Sequence, residues 1–336
     1  MRTTRGWLLQ PLGALLAALL CSCSHAERPP ISGASPRLTF AQLTDPHIFD
    51  AGKSREGKPP DQDELQDTLN TFDWALNELA QRTDLDFVVI TGDFGLEMVS
   101  PFFEEQSARI VANKLERLPV KAILVVPGNN DLLDEDFRDI HRYLRFVDRL
   151  GHLLDAHGKR VVDLIHGPHR ANGVLFLGLE SATFKNSKCK SSPDGCAGAY
   201  AYQLSKMEAV RDELSHNEKS EPVVIFTHIP DLHDPFTFEE SWSLRKDARN
   251  LWDTSIAKNG ALKAVFAGHF HSADEMSYGE PRHLDPWYNA SNVEPRFIVC
   301  PPLASKFQKP GHRVQGLLIG TVDAQGTVTF EIQTKK

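Results

Sequence analysis

The chain has 336 residues, enough for one large α/β domain or two smaller ones. Hydrophobic content of 41% and charged content of 24% are those of a globular protein and exclude general disorder. A net charge of −8 is a poor electrostatic match for a nucleic-acid duplex, so duplex binding is not expected as the main role.

Arg2 and Arg5 give the chain a positive start. The apolar run Leu12 to Leu20 is too short to span a bilayer and suits the core of a signal peptide. Two cleavage readings follow. Ser24-His25-Ala26 places small residues at the two positions a signal peptidase reads. Leu20-Cys21-Ser22-Cys23 instead resembles a lipobox, which makes 1–22 the signal peptide and Cys23 a lipidated first residue anchored in a membrane. Residues 23–37 then form a flexible tether, and 38–336 a single domain outside the cytoplasm, either periplasmic or anchored at the outer membrane.

From residue 38, short apolar runs alternate with longer amphipathic stretches. Strands are expected at Leu38–Leu43, Asp86–Thr91, Val120–Val126, Val174–Leu179, Val223–Thr227, Leu262–Ala267, Phe297–Cys300, Val314–Ile319 and Val328–Ile332. Helices are expected at Glu64–Ala80, Pro101–Leu118, Asp134–Leu150 and Leu204–Leu214. Alternation of this kind predicts an α/β fold with mostly parallel pairing, and the strand-rich final third suggests a second sheet. The segments near 48–62, 181–202 and 277–295 read as long polar loops. Cys189 and Cys196 flank the polar loop KSSPDG, which in an oxidising compartment suits a disulfide, or else two free loop thiols. Cys300 ends an apolar run and is expected to be buried and inert.

Chemistry-bearing residues recur just past the ends of the apolar strands. Asp45-Pro46-His47 follows the first, Gly92-Asp93 the second, and Gly128-Asn129-Asn130-Asp131 the third. His228 ends VVIFTH, and Gly268-His269-Phe270-His271 follows LKAVFA. Ligand sites in open α/β sheets lie at the carboxyl ends of strands. Carboxylate, imidazole and amide oxygen without thiolate suit Zn, Fe or Mn, and two such ions ~3.5–4 Å apart can deprotonate a shared water for attack on phosphorus. The glycines permit tight turns close to the ions.

The ordered set D-x-H, G-D, G-N, an isolated His and G-H-x-H resembles the calcineurin-like metallophosphoesterases, from about Thr39 to His271. The resemblance implies a four-layer α/β/β/α sandwich of two mixed sheets flanked by helices. It implies two metal ions (Mn, Fe or Zn), the first bound by Asp45, His47 and His271, the second by Asn129, His228 and His269, with Asp93 bridging both. It further implies hydrolysis of a small phosphoester by a metal-bridging hydroxide.

Two positions depart from the family pattern. Leu96 stands where a carboxylate or Asn is usual, which would loosen support for the metal ligands. Asn130 stands where the family has a His that holds the phosphate and protonates the leaving oxygen. Asn130 and Asp131 are the candidate catalytic residues; Asn can donate a hydrogen bond to phosphate but cannot act as a general acid. Phosphodiesters are therefore expected to be slightly preferred over monoesters. The competing reading is a catalytically silent metal-binding surface protein that recruits a partner. His233 as a substrate contact, Trp287 and Tyr288 as an aromatic wall, and Lys185, Lys188 and Lys190 as phosphate attractors are lesser candidates. Each also reads as an ordinary loop residue.

Overall fold

A computed structural model of the chain describes residues 37–48, 62–94, 101–132, 140–182, 193–217, 220–229, 244, 246–269, 295–304 and 314–335. The elements in chain order are β1 (Leu38–Leu43), α1 (Gln62–Ala80), β2 (Phe87–Thr91), α2 (Pro101–Leu115), β3 (Ala122–Val126), α3 (Ile140–Asp155), β4 (Arg160–Asp163), β5 (His169–Ala171) and β6 (Val174–Leu179). They continue with α4 (Pro193–Ser215), β7 (Val223–Thr227), α5 (Lys246–Leu251), a π-helical turn (Trp252–Ile256), β8 (Leu262–Ala267), β9 (Arg296–Val299), β10 (Gly316–Val322) and β11 (Val328–Thr334).

Two mixed sheets result. The first runs β11-β10-β1-β2-β3-β4 and the second β5-β6-β7-β8-β9. In the first, β1, β2, β3 and β4 pair in parallel, and in the second β6, β7, β8 and β9 do. Apart from the edge strand β4, the parallel strands are buried along nearly their whole length, as strands covered on both faces must be.

The sheets meet through aromatic side chains. Phe40 of β1 lies edge-on to Phe226 of β7 and Phe266 of β8, with ring centroids 5.2 and 5.1 Å away. Phe87 of β2 meets Phe176 of β6 at 4.9 Å. Period-2 alternation puts Gln42 on the same face as Phe40, and its amide crosses to the other sheet, donating to the Ala267 carbonyl at 3.0 Å. On the outer face of the first sheet, α1, α2 and α3 contribute Phe72, Leu76, Val111, Leu115, Phe146 and Leu150 to the same core. On the outer face of the second, Met207, Val210 and Leu214 of α4 pack with Trp252 and Ile256 against Leu175, Leu177 and Ile225. These four layers form the α/β/β/α sandwich.

Gly320 of β10 sits opposite Phe40 in the antiparallel pair, and a Cβ there would lie 2.2 Å from the Phe40 ring. The ring is wedged among aromatic neighbours from the facing sheet and cannot swing aside. Gly320→Ala should therefore destabilise by about 1–3 kcal/mol, the usual range for overpacking. Thermal melting that matched the wild type would mean the ring has room the packing does not show.

Several local expectations shift. α3 runs on to Asp155 because the stripe Tyr143, Phe146, Leu150, Leu154 keeps helical spacing past Gly151. α4 starts at Pro193, well before the expected Leu204: Pro suits a first helical position, and Ala197, Ala199 and Ala201 favour helix over the expected loop. β4 and β5 are short edge strands with no apolar run, so periodicity does not reveal them. The second sheet begins at β5 rather than in the final third. β10 returns to the first sheet through antiparallel pairing with β1, and β11 pairs antiparallel with β10 at its edge.

Candidate metal centre

The carboxyl ends of β1, β2, β3, β7 and β8 converge at one edge of the sandwich and deliver Asp45, Asp93, Asn129, His228 and His269; His47 follows two residues after Asp45. The connecting turns are stitched together by main chain. Asp45 N–H donates to the Gly92 carbonyl (3.1 Å), His47 N–H to Asp93 (2.9 Å) and Ile48 N–H to Phe94 (3.0 Å). Gly268 N–H donates to the His228 carbonyl at 2.9 Å. The two sheets are joined at the site itself, where His269 N–H donates to Asp45 Oδ2 at 2.9 Å.

Asp45, His47, Asp93 and His269 all adopt positive φ, at 51, 40, 55 and 75°. A left-handed conformation is unfavourable for these residue types and persists where the surroundings enforce it, often at functional sites. Here it turns four polar side chains inward at the strand ends. Asp45, His47, Asp93, Asn129 and His228 are all buried.

The donor atoms face one another. His47 Nε2 lies 3.5 Å from Asp93 Oδ2 and 3.8 Å from Asp45 Oδ1. His228 Nε2 lies 3.5 Å from Asp93 Oδ2, 2.9 Å from Asn129 Oδ1 and 3.2 Å from His269 Nδ1. His228 Nδ1 sits 2.7 Å from the Thr91 carbonyl, which can only accept, so Nδ1 carries a proton and neutral His228 presents a lone pair at Nε2. Lone pairs of imidazole, amide oxygen and carboxylate then point into one small volume. That arrangement repels itself unless a positive charge sits among them.

Among the described residues, two donor groups have their ligand atoms within 4.8 Å of one another: Asp45, His47 and Asp93, and Asp93, His228 and His269. Asp93 is common to both. Carboxylate, imidazole and amide oxygen with no thiolate suit a borderline or hard divalent ion, so the donor set fits the metals expected.

The glycines are required by space. A Cβ on Gly92 would lie 2.4 Å from Gly128 N, one on Gly128 would lie 2.1 Å from Asp93 Oδ1, and one on Gly268 would lie 1.9 Å from Thr44 Oγ1. Asp131 binds the turns together. Its carboxylate accepts from Asp93 N–H, Phe94 N–H and Gly128 N–H, each at 2.8 Å. Asn130 turns toward Asp93 as well: its main-chain N–H donates to Oδ1 and its side-chain amide to Oδ2, both at 2.8 Å.

The charged groups of the site act strongly on one another. Burial alone would raise the Asp93 carboxyl, but the charge of His228, its hydrogen bond and the charge of His47 outweigh it and hold Asp93 at about 2. Burial opposes a charged His228, yet the Asp93 and Asp45 carboxylates prevail and raise it to about 9. Burial, then the neighbouring Asp93 charge, push Asp131 up to about 7 despite its main-chain donors. A proton on His228 and a cation in the cleft are thus alternative ways to neutralise the same carboxylates.

Supporting residues that the sequence motifs did not reveal are Thr44, which donates to Asp45 Oδ2 at 2.6 Å, and Thr91, which orients His228 through its carbonyl. Each directly precedes a motif residue or glycine, but Thr is too common at such places to stand out. His271, Leu96, His233, Trp287, Tyr288, Lys185, Lys188, Lys190 and Cys189 lie outside the described residues, as do the export segment and tether 1–36. Cys300 is buried, and burial pushes its thiol well above the usual range.

A two-sheet α/β/β/α sandwich with buried carboxylates, imidazoles and an amide gathered at strand ends is of the class of proteins able to hold divalent cations there. The chain belongs to the calcineurin-like phosphoesterase family, whose model matches residues 38–273. The family uses divalent metals to hydrolyse phosphoesters. A comparison with curated protein sequences gives no match. Among solved structures, a dimetal phosphatase from Danio rerio superposes with a TM-score of 0.51 at 14% identity, over 89% of this chain and 99% of that one. TT1561 of Thermus thermophilus gives 0.47 at 15%, over 89% and 99%. A phosphopantetheinyl hydrolase from Mycobacterium tuberculosis gives 0.44 at 18%, over 81% and 91%. At 14% identity the first of these likenesses speaks to fold alone, and the chemistry rests on the family and on the site.

Proposed function

We propose that the chain hydrolyses small phosphoesters with two cations held side by side, phosphodiesters slightly in preference to monoesters. The observation that carries this reading is that Asp93 belongs to both donor groups, so one carboxylate reaches two metal positions. Asp45 and His47 would serve the first, joined by His271, and Asn129, His228 and His269 the second. Two bound ions would supply a deprotonated water near neutral pH and neutralise the phosphate oxygens. The protein's own part is to fix the ligands. Thr91 sets the His228 tautomer, and Thr44 and His269 N–H hold Asp45.

Metal analysis combined with turnover of bis(p-nitrophenyl) phosphate tests the reading. Two ions per chain and release of p-nitrophenol are expected. No turnover with Mn²⁺, Zn²⁺ or Fe²⁺ despite two bound ions would favour the silent, partner-recruiting alternative.

The diester preference follows from Asn130, which cannot protonate a leaving oxygen. Poor leaving groups need that proton and good ones do not. At saturating metal, Asn130→His should raise turnover of a monoester with a poor leaving group by up to about 10²-fold, and that of an activated diester much less. An equal effect on both substrates would show that acid catalysis is not what separates them.

The N-terminal pattern supports export, with lipidation at Cys23. Mass spectrometry of the mature N-terminus distinguishes a diacylglyceryl Cys23 from a free terminus after Ala26.

A further inference from the structure

We infer that Asn130 is a positioning residue for the Asp93 carboxylate, and that its side chain governs metal affinity rather than substrate binding. The inference rests on the two-metal reading above and deepens it. The motif position suggests a group that reaches out to phosphate. In the structure it reaches back: the main-chain N–H meets Asp93 Oδ1 and the side-chain amide meets Oδ2, both at 2.8 Å. One residue thus clasps both oxygens of the shared carboxylate, with one donor from its main chain and one from its side chain.

The count of lone pairs makes the clasp compatible with metal binding. An ionised carboxylate offers about four acceptor positions. Asn130 fills one on each oxygen, which leaves about two for cations, the number a carboxylate shared between two ions requires. The clasp also sets direction. Asp93 Oδ2 sits 3.5 Å from both His47 Nε2 and His228 Nε2, midway between the two donor groups. A carboxylate free to rotate about its last bond would favour one group over the other. Asp131 cannot supply this restraint, because its carboxylate holds main-chain N–H groups of Asp93, Phe94 and Gly128 and not the Asp93 side chain. An amide is well suited to the task, since it stays neutral and donates at every pH at which the site is folded.

The test is a metal titration of the metal-free protein with Mn²⁺, following binding by calorimetry, for wild type, Asn130→Ala and Asn130→Leu. Both variants keep the main-chain N–H and lose only the side-chain donor; Leu keeps the bulk. The expected result is metal affinity weakened by about 10- to 100-fold, the usual range for removing a group that orients a ligand. The metal-free melting temperature should be nearly unchanged. At saturating Mn²⁺, KM for bis(p-nitrophenyl) phosphate should match the wild type, which a substrate-contacting role would not allow. Wild-type metal affinity with a raised KM would overturn the inference. So would loss of folding in both variants, because the side chain would then be holding the turn rather than the carboxylate. A wild-type protein that takes up no metal would instead strike the two-metal reading itself.

Discussion

Asp93→Asn protein should fold, load neither metal position fully, and lose phosphodiester turnover by on the order of 10³-fold or more, beyond the 10- to 100-fold typical of outer ligand supports. The substitution keeps shape and removes charge. Asp93 is buried, belongs to both donor groups, and accepts two hydrogen bonds from Asn130. An Asn there brings an NH₂ group that must face either the Asn130 donors, which repel it, or the imidazole lone pairs, where it would donate in the place of a cation. On the proposed two-metal reading both positions would lose their common anion at once, so the loss should not be confined to one ion. Elemental analysis after reconstitution, with turnover of bis(p-nitrophenyl) phosphate, reads both effects. Full metal content or wild-type turnover would contradict the shared role.

Gly128→Ala should be nearly as damaging without touching any donor atom. The added methyl would lie 2.1 Å from Asp93 Oδ1 and 2.2 Å from Asp93 N. Neither atom can retreat, because Asn130 N–H holds the first and Asp131 Oδ2 the second, each at 2.8 Å. The turn after β3 must move instead, carrying Asn129 away from His228. The expected outcome is a stability loss of about 1–3 kcal/mol together with severely weakened metal binding. Gly151→Ala is the matched control. It lies inside α3, where the nearest atom to a new Cβ is Val161 Cβ at 3.9 Å. There Ala should stabilise by about 0.5–1 kcal/mol, since Gly is a poor helix residue. If the two variants melted and bound metal alike, the tight packing at Gly128 would have no functional consequence.

The amino-acid sequence by itself determined the elements with strong local pattern. LTFAQL, VLFLGL, VVIFT and LKAVFA are short, mainly apolar runs, too short for buried helices, and they form strands over the residues expected. It also determined which side chains stand at the strand ends, because a motif adjacent to a parallel strand is carried to a known edge of the sheet. Tertiary structure decided the rest. Nothing local in GLLIGTV tells that it returns to pair with β1, two hundred and more residues upstream; Gly320 does so because only a residue without a side chain leaves room for Phe40. RVVD and HRA become strands because an exposed edge is offered to them, not because they alternate. The direction of Asn130 was likewise invisible in Gly-Asn-Asn-Asp. Whether an amide faces outward to a substrate or inward to a carboxylate depends on where β2 ends relative to β3, and that is set by the packing of the sheet as a whole.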